Sequence, residues 1–228
     1  MPPDDDSPLM PHGGYKNLRS YKVAEAVFDA TVVFCKRFYP DEPRMRSQMV
    51  QAARSGARNI SEGSGAAGTS RKSEMKLTNV ALSSLEKELL KDYESFLRQN
   101  GLRQWDKDSR WALEMRRRLR VDRIDGLEPV KDGKAQLTGL EGLADFVGRA
   151  DPEIAANAML CAVNQATYLI RRQVQAQGRQ FMEKGGFTEN LYRKRTKRRR
   201  EQSGESEKSD KSDQSDRSDR YGGGSAGG

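Results

Sequence analysis

Residues 70–100 read SRKSEMKLTNVALSSLEKELLKDYESFLRQN. Leu77, Ala81, Leu82, Leu85, Leu89, Tyr93 and Phe96 recur here at intervals of three and four, which lines them along one side of a helix. Ser70 stands where an N-cap is needed, and Asn100-Gly101 stands where a helix stops. A strand would need apolar and polar residues to alternate, and they do not. The stretch therefore predicts one helix over 70–99, about 45 Å long at 1.5 Å per residue. Its single apolar stripe requires other helices to cover it.

The flanking sequence supplies them. Residues 44–60 place Met45, Met49, Ala52, Ala53, Gly56, Ala57 and Ile60 on one face, small enough for a neighbouring helix to approach closely. Residues 18–39 repeat Val23, Val27, Ala30, Phe34 and Phe38, and Pro40 and Pro43 end that helix. A fourth helix starts at Asp151-Pro152-Glu153, with a cap, a first-turn proline and an acid beside the positive helix end. It runs through Ile154, Ala158, Leu160, Cys161, Ala162, Tyr168 and Leu169 to about Lys184, where Gly185-Gly186 breaks it. The expectation is an all-α chain, an up-and-down four-helix bundle over residues 15–186. Residues 101–150 read as an irregular insertion with a short helix near 109–119 and turns at Asp125-Gly126 and Asp132-Gly133. Residues 1–14 read as a disordered leader and 187–202 as a basic C-terminal helix. Residues 203–228 read as a disordered tail: Ser206, Ser209, Ser212, Ser215 and Ser218 recur every third residue with no apolar residue between them, and a Gly-rich end follows.

Composition narrows the function. Of 228 residues, 35% are hydrophobic, and the mean hydropathy is -0.90. One ordered domain with polar extensions fits these values. No apolar run is long enough for a membrane span, and Met1-Pro2-Pro3-Asp4-Asp5-Asp6 offers no secretory signal. Cys35 and Cys161 lie far apart, so they read as small core hydrophobes in a reducing cytoplasm. The one histidine, His12, sits in a Pro/Gly-rich leader, which excludes a histidine triad or a zinc site built on core histidines. Glu86 and Glu88 are two apart and share no helix face, and Asp122 and Asp125 fall in an expected loop. No catalytic residue, metal or cofactor is expected, and the chain does not read as an enzyme.

The charge points to polyanions. The net charge is +8 and the pI about 9.5. Residues 193–200 (Arg193, Lys194, Arg195, Lys197, Arg198, Arg199 and Arg200 around Thr196) carry seven cations and no acid. Residues 201–228 carry four basic and seven acidic groups. A dense cationic run gains affinity for phosphates by releasing their condensed counterions. Further candidates on the bundle are Arg54 and Arg58, four apart on one helix face; Arg116, Arg117 and Arg118; and Arg171 and Arg172. Gly63-Ser64-Gly65-Ala66-Ala67-Gly68 matches G-x-G-x-x-G, but a helix precedes it where a dinucleotide site needs a strand. It also fails as a P-loop, because Thr69 stands where lysine is required. Two readings of it stay open: a flexible interhelical loop, or backbone N–H groups that hold one phosphate together with Arg71 and Lys72.

Residues Gln48-Met49-Val50-Gln51-Ala52-Ala53-Arg54-Ser55-Gly56-Ala57-Arg58-Asn59-Ile60-Ser61-Glu62-Gly63 resemble the Q-x-x-R/Q-A-A-x-S-x-x-x-N-I-A-E-G signature of the bacterial four helix bundle family. Tyr15-Lys16-Asn17-Leu18, Ser70-Arg71-Lys72-Ser73-Glu74-Met75 and Ala81-Leu82-Ser83-Ser84-Leu85-Glu86-Lys87-Glu88-Leu89 extend the resemblance over about residues 15–100. The run Gly185 to Arg193 is similar to the variant with an added C-terminal suffix. Ser61 departs from the usual Ala, and residues 101–150 are an insertion. The family includes proteins encoded in intervening sequences of large-subunit ribosomal RNA genes and the accessory variability protein of diversity-generating retroelements. The resemblance implies a non-enzymatic, basic homopentamer that binds nucleic acid and, in the retroelement branch, a reverse transcriptase. Two alternatives from the residues themselves remain: a protein-interaction module without nucleic-acid binding, and a small nucleotide-binding protein using the Gly63–Gly68 loop.

Overall fold

Gly13 and Gly14, at φ 76° and 72°, bring the chain into a 3-10 turn at Tyr15–Asn17, and extended Leu18 opens helix α1 (Arg19–Phe38). A computed structural model of the chain describes residues 9–124 and 135–200, and those residues contain helices and no strand. They fall into two units, which divide between residues 183 and 184.

In the first unit α2 (Pro43–Ala66) begins with proline in its first turn, where the missing N–H costs nothing. It runs six residues beyond the expected end at Ile60. Nothing between 61 and 66 breaks it, and Gly63 and Ser64 are buried. A Cβ on Gly63 would stand 3.2 Å from the Glu74 carbonyl oxygen, so this glycine serves a close helix crossing. The long rod α3 covers residues 71–99 in three stretches: Arg71–Ser83, a wide π-helical turn Ser84–Leu89, and Leu90–Gln99. The Ser70 hydroxyl accepts from the Ser73 N–H at 3.1 Å, and Gly101 (φ 63°) lies just beyond the far end.

Helix α4 (Arg110–Leu119) starts at Ser109, whose side chain accepts from the Ala112 N–H. Then come α5 (Leu143–Arg149) and α6 (Pro152–Lys184). The segment expected to hold one short helix near 109–119 thus holds that helix and a second, α5. It also buries Leu119, Leu137, Leu140, Leu143, Phe146 and Val147 in the common core. It is anchored through polar groups as well. Arg19 reaches Asp122 and the Leu119 carbonyl. Arg37 donates to the carbonyls of Val147 and Ala150. Asn157 accepts from the Trp105 N–H at 2.8 Å and donates to the Arg103 carbonyl at 2.9 Å. The turns expected at Asp125-Gly126 and Asp132-Gly133 lie outside the described residues.

The core joins α1, α2, α3 and α6. Phe34 sits among Phe38, Tyr39, Tyr93 and Phe96, with ring centroids 4.7–6.4 Å away. The fully buried Tyr93 hydroxyl meets Thr31 Oγ1 at 2.9 Å, and Thr31 in turn donates to the Val27 carbonyl. Polar contacts tie the rods pairwise: Ser55 with Ser84 at 3.0 Å, Ser20 with Gln173 at 2.6 Å, and Glu86 with Arg171. Residues 9–14, expected as part of a disordered leader, are held. The Met10 N–H donates to the Gly68 carbonyl and the Gly13 N–H to the Ser64 carbonyl. The Ser64 hydroxyl donates back to the Gly13 carbonyl at 2.8 Å.

The second unit, taken by itself, contains helix α7, residues 187–200. Gly185 (φ 70°) precedes it, and the Gly186 N–H donates to Glu189 Oε2 at 2.9 Å. The tail beyond residue 200 lies outside the described residues.

Candidate nucleic-acid interface

The fold sorts the nominated cations by what holds them. Arg54 and Arg58 project from the outer face of α2, exposed, one helical turn apart. Neither side chain makes a hydrogen bond or ion pair among the described residues. Lys72, in the first turn of α3, is exposed and likewise unpaired among those residues.

Arg71 is different. It binds Glu74 at 2.9 Å with both side chains largely buried. Glu74 also accepts from Gln177 Nε2 at 3.0 Å, and that amide meets Thr78 Oγ1 at 3.1 Å. Arg71 therefore belongs to a polar knot between α3 and α6 and is turned away from any phosphate near the Gly63–Gly68 stretch. Gln177 Oε1 is buried there without a hydrogen-bond partner among the described residues.

The arginines of α4 are also engaged. Arg117 and Arg118 both donate to Glu114, at 2.6–2.8 Å, and hold its carboxyl down at about 2. Arg118 donates further to the Leu137 carbonyl at 2.8 Å. Arg116 donates to the carbonyls of Ala112 and Lys107. Arg171 pairs with Glu86, and Arg172 lies over the Tyr168 ring at 6.0 Å. A guanidinium already facing a carboxylate has much of its field compensated, so a phosphate gains less there than at an unpaired one.

In the second unit, Arg193, Lys194, Arg195, Lys197, Arg198, Arg199 and Arg200 all lie on α7. Tyr192, Arg193, Thr196, Lys197 and Arg200 share one side of it at spacings of three and four, so an aromatic ring stands in line with three cations.

The glycine motif takes a place that its spacing did not foretell. Gly63-Ser64-Gly65-Ala66 forms the last turn of α2 rather than a loop opening a helix. A helix C-terminus carries exposed carbonyls and partial negative charge, the wrong pole for a phosphate. The carbonyls of Ser64 and Gly68 instead receive the leader, and the His12 ring rests against Gly68.

Two cations missing from the sequence reading, Lys36 and Arg46, also have no side-chain hydrogen bond or ion pair among the described residues. A groove of ≈ 490 Å³ between α1 and α2 is lined by Val32, Lys36, Pro43, Arg46, Ser47 and Val50. Lys36 and Arg46 come from different helices, so only the fold brings them to one place. Elsewhere, a cavity of ≈ 380 Å³ between α1 and the insertion is acidic, with Glu25, Asp29, Asp122 and Glu141 around Lys22. Burial there, reinforced by Glu25, raises the Asp29 carboxyl above its ordinary value. Among the described residues no group of three or more His, Cys, Asp or Glu side chains is placed to hold a metal ion. No helix among them is long and apolar enough to cross a membrane. No family model, curated protein or solved structure matches the chain.

Proposed function

We propose that the chain is a non-enzymatic helical scaffold that binds nucleic acid electrostatically. The observation that carries this reading is α7, whose residues 193–200 present seven cations and no acid, with Tyr192 in line with three of them. Such a helix neutralises backbone phosphates and releases counterions, and the neighbouring ring offers a stacking surface for an unpaired base. The finer fold in this reading is an up-and-down four-helix bundle of α1, α2, α3 and α6. The pairings Ser55–Ser84, Ser20–Gln173 and Arg171–Glu86, together with Gln177–Glu74, fit neighbours that run antiparallel. Membership of the bacterial four helix bundle family, a homopentameric state, a cytoplasmic setting and a reverse-transcriptase partner rest on the resemblance and on composition. In that setting the scaffold would position nucleic acid for the enzyme.

The test is binding of a labelled structured RNA and a labelled DNA duplex to the full chain across a salt series. The expected result is submicromolar binding at low salt, with log affinity falling linearly against log salt. No binding of either near physiological salt overturns the reading. A pulldown with a reverse transcriptase of a diversity-generating retroelement tests the partner, and recovery of nothing counts against it.

One set of observations favours a second reading, a protein-interaction module. Trp111 (69% exposed), Leu113 (53%) and Tyr168 (57%) stand open on α4 and α6, and exposed apolar side chains of this size suit protein contacts. Self-association without polyanion binding would favour it.

A further inference from the structure

Lys36, Arg46, Arg54 and Arg58, whose side chains have no hydrogen-bond or ion-pair partner among the described residues, lie on the adjacent helices α1 and α2. Helix α2 carries Arg44, Arg46, Arg54 and Arg58 against one acid, Glu62, at its far end. Its buried face, around Met49, Ala53, Gly56 and Ile60, points into the core. Positions 47, 54 and 58 fall on the opposite side, at helical angles within about 40° of one another at 100° per residue. Arg46 and Val50 lie toward α1, where Lys36 and Val32 complete the groove. The stripe from Arg46 to Arg58 rises about 18 Å along the helix axis, enough to meet several phosphates of one strand. Asp41-Glu42 and Glu62 bound it at its two ends. Glu25 and Asp29 of α1 line the separate cavity facing the insertion.

We propose that this stripe is a second phosphate-binding track: Arg54 and Arg58 on the outer face of α2, with Arg46 and Lys36 at the mouth of the α1–α2 groove, hold consecutive backbone phosphates of one nucleic-acid strand. This rests on the nucleic-acid reading above and adds a site that is independent of α7. Arg71, Arg116, Arg117, Arg118 and Arg171, held by carboxylates or backbone carbonyls within the fold, stand outside the track. All four track residues sit on rigid helices, so the phosphates meet a fixed register rather than a diffuse cloud of charge. No base edge is read by such a surface, and it binds without sequence preference.

The experiment measures anisotropy of a fluorescein-labelled 20-nucleotide RNA with the full chain and its full-length variants over 50–300 mM salt. For a single strand, the log–log slope falls by about 0.7 for every phosphate that is no longer neutralised. Arg54→Gln with Arg58→Gln should therefore flatten it by about 1.4 and weaken binding roughly tenfold at 0.15 M salt. Lys36→Gln with Arg46→Gln should do the same, which guards against one pair failing to fold. Arg54→Lys with Arg58→Lys keeps the charge and should restore the slope. Arg117→Gln removes the same charge from a carboxylate-paired position and should leave the slope unchanged. If both α2 and groove pairs keep the wild-type slope while the wild type binds, the track is overturned and the nucleic-acid reading stands. If Arg117→Gln flattens the slope as much per charge, the surface acts only through net charge and the track is again overturned. If the wild type does not bind, both proposals fall.

Discussion

Gly56 and Gly65 occupy the same helix, nine residues apart, and should answer alanine in opposite directions. A Cβ on Gly56 would stand 2.6 Å from Leu85 Cγ and Cδ2, whereas one on Gly65 meets nothing within 4 Å. Alanine in an open helical position gains up to about 1 kcal/mol over glycine. Overpacking in a filled core costs about 1–3 kcal/mol. Gly65→Ala should therefore raise the urea midpoint, and Gly56→Ala should lower it by about 1–2 kcal/mol in unfolding free energy. The pair Thr31 and Tyr93 makes a similar contrast. Thr31→Val orphans a fully buried phenol and should cost about 1–3 kcal/mol, while Tyr93→Phe leaves Thr31 bonded to the Val27 carbonyl and should cost about 1 kcal/mol or less. Both cysteines read as core hydrophobes, and burial raises the Cys35 thiol to about 12 and the Cys161 thiol to about 11. Neither should alkylate in the native protein at pH 8 on the timescale of unfolded controls, as measured by mass spectrometry.

Helix α3 shows what a stripe reveals and what it conceals. Ala81, Leu85, Leu89 and Tyr93 recur at a strict interval of four, and four α-helical residues overshoot a full turn by about 40°. Repeated three times, that drift would carry Tyr93 away from the face that Ala81 occupies. The π turn Ser84–Leu89 takes up more residues in its turn and returns all four to the core. The existence and faces of the long helices were legible because their apolar residues are many and regularly spaced. The C-terminal end of α2 was not, because Gly63 to Gly68 read as an interhelical loop in sequence, while close packing of Gly63 against Glu74, Leu77 and Thr78 of α3 accompanies the helix as far as Ala66. Residues 101–150 read as irregular because the apolar run from Leu137 to Val147 is short and is interrupted by Gly139 and Gly142, although it supplies core. Pairing was equally invisible for α4: three adjacent arginines look like a binding patch until Glu114, three and four residues away, claims two of them. That pairing fixes a pH signature. Glu114 titrates near 2, below its ordinary 4.5, so its ion pairs with Arg117 and Arg118 stabilise fully above pH 4.5 and break as pH falls toward 2. An NMR titration should give that low midpoint, and 1 M salt should move it upward, because the pair is partly exposed.

At the scale of the whole chain, charge is arranged in blocks. The seven cations at 193–200 are followed by a tail that is net acidic. Such a tail is a tethered competitor for the cationic helix, present at high effective concentration. Deleting residues 203–228 should tighten RNA binding several-fold at low salt, and unchanged affinity in the anisotropy assay would remove the idea. The polyanion reading was legible from the basic run itself. The α1–α2 groove was not, since its lysine and arginine are ten residues apart in sequence and meet only across a helix hairpin. One last feature serves the experimenter. The chain has a single histidine, and its ring rests on Gly68 where the leader crosses the end of α2. Its imidazole is therefore a built-in spectroscopic reporter: a single Hε1 resonance, free of overlap from any other histidine, whose shift registers without labelling whether the leader is seated or has lifted when a ligand arrives.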